Sequence, residues 1–178
     1  MPDGTSFQTN LDPFGLSTTA ECQAVLQTVG LWASLALGHA NGLAAPMAAD
    51  TLSAGQKQLF SLGRAILRRR VRARERDALL GEAAAAAGGV LLLDEVSSSV
   101  DKDTDKAMQQ IIRDEFEGYT IVMVSHRLEM VMDFFDRVVV MDKGQMVESG
   151  SPRVLAETEG SRFRDLWMVG NRARDGSS

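Results

Sequence analysis

Val90-Leu91-Leu92-Leu93-Asp94-Glu95 is a run of four aliphatic residues closed by two carboxylates. A short apolar run of this kind reads as a strand buried on both faces, the pattern of parallel sheets covered by helices. The downstream residues support an α/β chain. Asp103 to Phe116 has helical spacing with Met108, Ile111 and Ile112 inward. Thr120 to Val124 reads as a strand, Leu128 to Phe135 as a helix, and Arg137 to Met141 as a strand. Strand, helix, strand, helix, strand implies a parallel sheet with helical crossovers. Asp142-Lys143-Gly144 then turns the chain into a further strand, Gln145 to Glu148; Ser151-Pro152 caps a short helix, and Phe163, Leu166 and Trp167 mark a last amphipathic one.

Upstream, residues 1 to 17 are turn-rich. Thr18-x-x-Glu21 is a capping box, followed by Cys22, Val25, Leu26 and Val29 at helical spacing and Gly30 as a stop. Residues 38 to 50 are small and loop-like. Ser53-x-x-Gln56 is a second capping box, opening a helix with Leu59, Leu62 and Ile66 on one face. Residues 68 to 76 hold six arginines among nine positions, and Ala83 to Gly89 read as a loop or a short helix ended by glycine.

Composition narrows the function. With 178 residues the chain is long enough for one domain with a real core, and 44% hydrophobic with 24% charged residues is ordinary globular usage. A net charge of -5 gives no whole-molecule basic field for nucleic acid or an anionic membrane. No aromatic residue interleaves with the arginine run to stack on bases, so nucleic acid is not an expected partner. One cysteine excludes an internal disulfide, and two histidines with that cysteine argue against zinc. No stretch of 18 apolar residues is long enough to span a bilayer, and the first residues show no leader pattern.

Three segments could carry chemistry. Asp94 and Glu95 close a buried strand, where α/β proteins place their ligands. One carboxylate can hold Mg²⁺ while the next orients or deprotonates an attacking water; an acidic strand end feeding a turn would explain the same residues. His126 follows the next strand and could hydrogen-bond a phosphate or the attacking water; a solvent-exposed loop histidine is the plain alternative. A Ser125–His126 hydrolase pair is excluded by the lack of a Gly-x-Ser-x-Gly elbow. Leu52-Ser53-Ala54-Gly55-Gln56 sits at a helix start, whose free N–H groups and dipole suit an anion. Ser53 adds a hydroxyl and Gly55 lets a phosphate approach, although an ordinary N-cap has the same sequence.

Joined in this order, the segments resemble the ATP-binding cassette (ABC) family over nearly the whole chain. Leu52 to Gln56 is similar to the family signature Leu-Ser-Gly-Gly-Gln, and Val90 to Glu95 to its Walker B strand. Ser98-Ser99-Val100-Asp101 is similar to the D-loop, and Ser125-His126-Arg127-Leu128 to the H-loop. Asn10-Leu11-Asp12-Pro13-Phe14-Gly15 resembles the segment that opens the helical subdomain in the C subfamily of multidrug-resistance-protein-like exporters. The near-consensus signature and the glutamate at 95 resemble that subfamily's second nucleotide-binding domain. Ala54 replaces the first signature glycine, and Val96-Ser97 stands where the family has Ala-Thr.

The resemblance implies a partial P-loop NTPase fold of ABC ATPase type, with a parallel sheet and a helical signature subdomain. It divides the chain into that subdomain at 16–69, an insertion at 70–89, a Walker B, D-loop and H-loop core at 90–150, and C-terminal helices at 151–178. Asp94 is then the magnesium-associated carboxylate, Glu95 the catalytic base and His126 the γ-phosphate contact. Leu52, Ser53, Ala54, Gly55, Gln56 and Asp101 take part in nucleotide binding, with ATP and Mg²⁺ as ligands. The family's two nucleotide-binding domains pair head to tail on the cytosolic side of a membrane, beside transmembrane domains. No Gly-x-x-x-x-Gly-Lys-Ser/Thr loop occurs in residues 1–178; that loop, the adenine-stacking aromatic and the Q-loop glutamine are expected upstream. The expected function is ATP binding and hydrolysis coupled to export. The alternative is a non-catalytic module that lends its signature to a partner ATPase.

Overall fold

A computed structural model describes residues 5–38, 41–48, 50–80, 88–94 and 101–175. The chain divides into two units, Met1–Met123 and Val124–Ser178.

In the first unit, α1 (Phe7–Leu11) is capped by Ser6, whose hydroxyl accepts the Thr9 N–H. The next helix, α2 (Thr19–Thr28), opens on the capping box read from sequence: Glu21 N–H donates to Thr18 Oγ1, and Thr18 N–H donates to Glu21 Oε2. It closes in a Schellman turn, with Gly30 at φ +73° and the Leu31 N–H reaching Leu26 O at 2.9 Å. Two elements had no clear sequence signal, α1 and α3 (Trp32–Gly38). The long helix α4 (Ala54–Leu80) packs against α2, and a Cβ at Gly63 would already lie 3.4 Å from Val25 Cγ1. Phe7, Leu11, Val25, Leu26, Phe60 and Ile66 are almost fully buried, and Phe7 meets Phe60 edge to face at 6.3 Å.

The expected boundary at 69/70 falls inside α4, which continues unbroken to Leu80. Arginine is a good helix former, and this run has carboxylates to hold. Glu115 accepts from Arg69 and Arg70, and Arg74 pairs with Glu21 and donates to Leu16 O at 2.7 Å. Of the expected insertion, residues 81–87, which include the five alanines 83–87, lie outside the described residues.

β1 (Val90–Asp94), α5 (Lys102–Glu115) and β2 (Thr120–Val124) follow, the unit boundary falling before Val124, the last residue of β2. β1 and β2 form a small parallel sheet. Within α5, Met108 and Ile112 are buried as expected. β1 is not covered on both faces, however. Leu91 and Leu93 are buried, whereas Val90 and Leu92 are 64% and 74% exposed. The four apolar residues are suited to two covered faces, but among the described residues only one face is packed.

The second unit holds α6 (Leu128–Phe134), β3 (Val138–Asp142), β4 (Gln145–Gly150), α7 (Pro152–Glu157) and α8 (Arg162–Asp175). Here too the sequence expectation needs correction: among the described residues β3 is not hydrogen-bonded to β1 or β2. It pairs antiparallel with β4, Val138 opposite Gly150 and Asp142 opposite Gln145. The two-residue link explains the antiparallel pairing, since Lys143 at φ 48° and Gly144 at φ 77° make the tight hairpin turn whose twist matches adjacent strands. Val131, Val140 and Phe163 form the core, with Leu128, Val138 and Leu155 against them, so residues on both sides of the expected 150/151 boundary share one core. Glu148 Oε2 ties β4 to the start of α8 by accepting from Ser161 Oγ and Phe163 N–H at 3.0 and 2.8 Å. Ser151 stands at the N-cap of α7, but its side chain makes no capping hydrogen bond; Pro152 supplies the pre-set first turn.

Candidate functional site

The approach to α4 is anchored before the helix begins. Phe7 N–H donates to Ala45 O at 3.0 Å and Met47 N–H to Thr5 O at 2.8 Å, with Met47 buried. Thr51 Oγ1 accepts the Ala48 N–H at 2.9 Å, and the side chain of Leu52 is buried. Ser53 is the N-cap. Its Oγ accepts the Gln56 N–H at 3.2 Å, while Gln56 Oε1 accepts the Ser53 N–H at 2.9 Å. Ala54 and Gly55 are the first two residues of the helix, so geometry leaves their N–H groups without an intrahelical acceptor. Ser53 and Ala54 are exposed and Gly55 and Gln56 half-buried. The result is a capped helix start that presents a hydroxyl, N–H groups and the positive end of a long dipole.

A cleft of about 320 Å³ runs beside this end of α4. Lys57, Gln58, Ser61 and Ala65 line it from α4, and Leu91 to Asp94, Met108 and Ile112 from the sheet and α5. Asp94 is exposed at the end of β1. The structure thus brings Asp94 to the same cleft as the residue that follows the signature-like segment. Lys57 was not singled out from sequence, although its place directly after Gln56 in a helical first turn was visible.

Asp101 is the N-cap of α5. Its Oδ1 accepts the N–H groups of Asp103 and Thr104 at 3.0 and 2.9 Å, and Oδ2 accepts the Thr104 hydroxyl at 2.7 Å. The Thr104 N–H and hydroxyl hold this exposed carboxyl below the usual aspartate range. Glu95 and Ser98, Ser99 and Val100 lie outside the described residues. His126 is in the second unit, exposed on the turn between β2 and α6, where Ser125 Oγ accepts the Arg127 N–H at 3.0 Å.

Among the described residues no group of three His, Cys, Asp or Glu side chains could hold a metal alone. Mg²⁺ carried by a nucleotide needs only one or two carboxylates, the phosphates supplying further oxygens. Asp94 at an open strand end fits that requirement, and the start of α4 fits a phosphate.

Set against known proteins, the chain resembles ABC transporters. It is 57% identical over 171 residues to "ABC-type transporter braE" of Annulohypoxylon truncatum, which covers 96% of this chain and 11% of that protein. It is 57% identical over 169 residues to "ABC transporter FGM5" of Gibberella zeae, covering 95% and 11%. To "ABC multidrug transporter B" of Aspergillus fumigatus it is 40% identical over 162 residues, covering 91% and 10%. No family model matches the chain. The chain spans about a tenth of the length of these relatives, the relation a segment of an ABC transporter has to the whole. Among the described residues no helix is long and apolar enough to cross a membrane.

Proposed function

We propose that this chain is part of an ATP-hydrolysing nucleotide-binding domain of an ABC transporter, a partial P-loop NTPase fold whose turnover drives export. The reading rests first on the start of α4. There a reciprocal Ser53–Gln56 cap holds a signature-like segment at the start of a long helix, an end that suits an anion. Similarity to ABC transporters along some 95% of the chain supports it. The Asn10 to Gly15 segment favours the C subfamily, and the signature with Glu95 favours its second nucleotide-binding domain.

In this reading Leu52 to Gln56 close over the phosphates of an ATP held chiefly by a second nucleotide-binding domain. Ser53 Oγ and the N–H groups of Ala54 and Gly55 are the donors. Asp94, with Asp101 beyond it in the chain, and His126 serve a second ATP whose P-loop comes from elsewhere in the transporter. Asp94 would hold Mg²⁺, which when bound neutralises charge on the phosphate oxygens. Glu95 orients the attacking water and takes its proton, and His126 donates to the γ-phosphate. Transmembrane domains of the same transporter, with this domain on the cytosolic side, receive the resulting movement.

Glu95→Gln in the transporter containing this chain tests the assignment. ATP turnover is expected to vanish while ATP binding persists, because the amide cannot accept the proton of water. Turnover that survives the substitution would overturn the reading.

A further inference from the structure

Glu115 occupies the last turn of α5, where the helix dipole opposes an anion. Three hydrogen bonds from α4 hold it there. Arg69 Nη2 donates to Oε2 at 2.6 Å, Arg70 Nε to the same oxygen at 3.3 Å, and Arg70 Nη2 to Oε1 at 2.5 Å. The Arg69 guanidinium also lies 5.7 Å from the centre of the buried Phe116 ring, and Arg70 Nη2 reaches Thr28 Oγ1 on α2 at 3.4 Å. The carboxylate thus ties α5 to α4, and Arg70 carries the link on to α2. Its side chain is only 15% exposed and that of Arg69 27%, so the pair is screened less than a surface ion pair.

The place of this clasp gives it a further meaning. The last α4 residue lining the 320 Å³ cleft is Ala65, one turn before Arg69. On α5 the last is Ile112, one turn before Phe116. The clasp thus sits one turn beyond the cleft on both helices. From it back to Gln56 on α4, and back to Lys102 on α5, is about 20 Å of helix in each case. A tilt of about 5° at the clasp would displace the Leu52–Gln56 end by about 2 Å, enough to spoil a reacting geometry.

We infer that Glu115 is a positioning residue for ATP turnover. With Arg69 and Arg70 it sets the angle between α4 and α5, and so how Leu52 to Gln56 stand over the second domain's ATP while Asp94 and Asp101 serve the other. The inference rests on the function proposed above. A purely structural tie would change the amount of folded protein and leave turnover per folded molecule unaltered. A positioning role lowers kcat in folded protein, with little effect on KM for an ATP anchored by other residues.

The test uses the purified transporter containing this chain, with turnover normalised to folded protein. Glu115→Ala is expected to lower kcat about tenfold and to move KM for ATP less than about twofold. Arg69→Ala with Arg70→Ala is expected to cause the same loss, and adding Glu115→Ala to that pair to cost nothing further. Should Glu115→Ala not fold, Glu115→Gln keeps its shape without the charge, and a loss of about threefold is expected. Unchanged kcat, or losses that simply add, would overturn the inference. Glu95→Gln runs beside these variants. If it retains turnover, the proposed function has failed and the inference falls with it. If it abolishes turnover while Glu115→Ala works at the normal rate, the positioning role alone has failed.

Discussion

Ser53 and Gln56 cap each other: the backbone N–H of each donates to the side-chain oxygen of the other, at 2.9 and 3.2 Å. Both side-chain oxygens accept within the helix start, and the Ser53 hydroxyl keeps its hydrogen to donate outward. The donors left to face a phosphate from the backbone are the N–H groups of Ala54 and Gly55. Ser53→Ala removes one half of the cap and is expected to cost about 1 kcal/mol. In a chain of this size the melting temperature should fall by about 2–4 °C. Faster amide exchange should be confined to the first turn of α4. An unchanged melting temperature would mean that the cap does not form in solution.

The acid dependence of stability arises from three carboxyls held below their ordinary values. Glu21 is lowered first by the Thr18 N–H, and Asp101 first by the Thr104 N–H. For Glu115 burial pushes upward, but the hydrogen bonds from Arg70 and Arg69 outweigh it. A carboxyl with a lowered folded pKa stabilises the fold above its unfolded value, 4.5 for glutamate and 3.8 for aspartate. That contribution is lost as pH falls through the folded value. Stability should therefore be flat in these groups near neutrality and decline below about pH 4.5. Urea melts between pH 7 and pH 3 should show the decline, with a shallower slope in Glu115→Gln. Equal slopes would show that Glu115 does not hold its arginines.

Cys22 lies fully buried in α2, and its thiol is pushed up to about 11 by burial, with Asp12 and Glu21 adding to the shift. Thiolate is the reactive form. Iodoacetamide at pH 8 should leave the folded chain unlabelled and modify Cys22 on addition of denaturant. Rapid labelling without denaturant would contradict the packing of α2 against α4.

Local punctuation was the most legible part of the fold. Thr18 with Glu21, Ser53 with Gln56, Gly30 as a helix stop and the Lys143–Gly144 turn are each short-range devices, and each stands where the residues placed it. What the sequence hid depends on distant partners. The arginine run does not reveal in sequence what it pairs with; Glu115 and Glu21, far away in the chain, hold it along α4. Four apolar residues in β1 signal burial without saying which face is packed, and only Leu91 and Leu93 are covered. β3 comes after a helix like a crossover strand, yet its two-residue link to β4 draws it into a hairpin. At the candidate site, the signature-like segment and Asp94 could be picked out from residue type and position. Their meeting at one cleft with Lys57 could not, because it depends on how α4 lies beside β1.

Whether this chain is part of an ABC transporter's ATP-hydrolysing domain is decided by the size and place of the native protein. Membrane and soluble cell fractions would be blotted with an antibody raised against residues 145–178. A membrane-bound band many times larger than the 19.3 kDa of this chain is expected. A soluble band at 19.3 kDa, with no larger species, would contradict the proposed function.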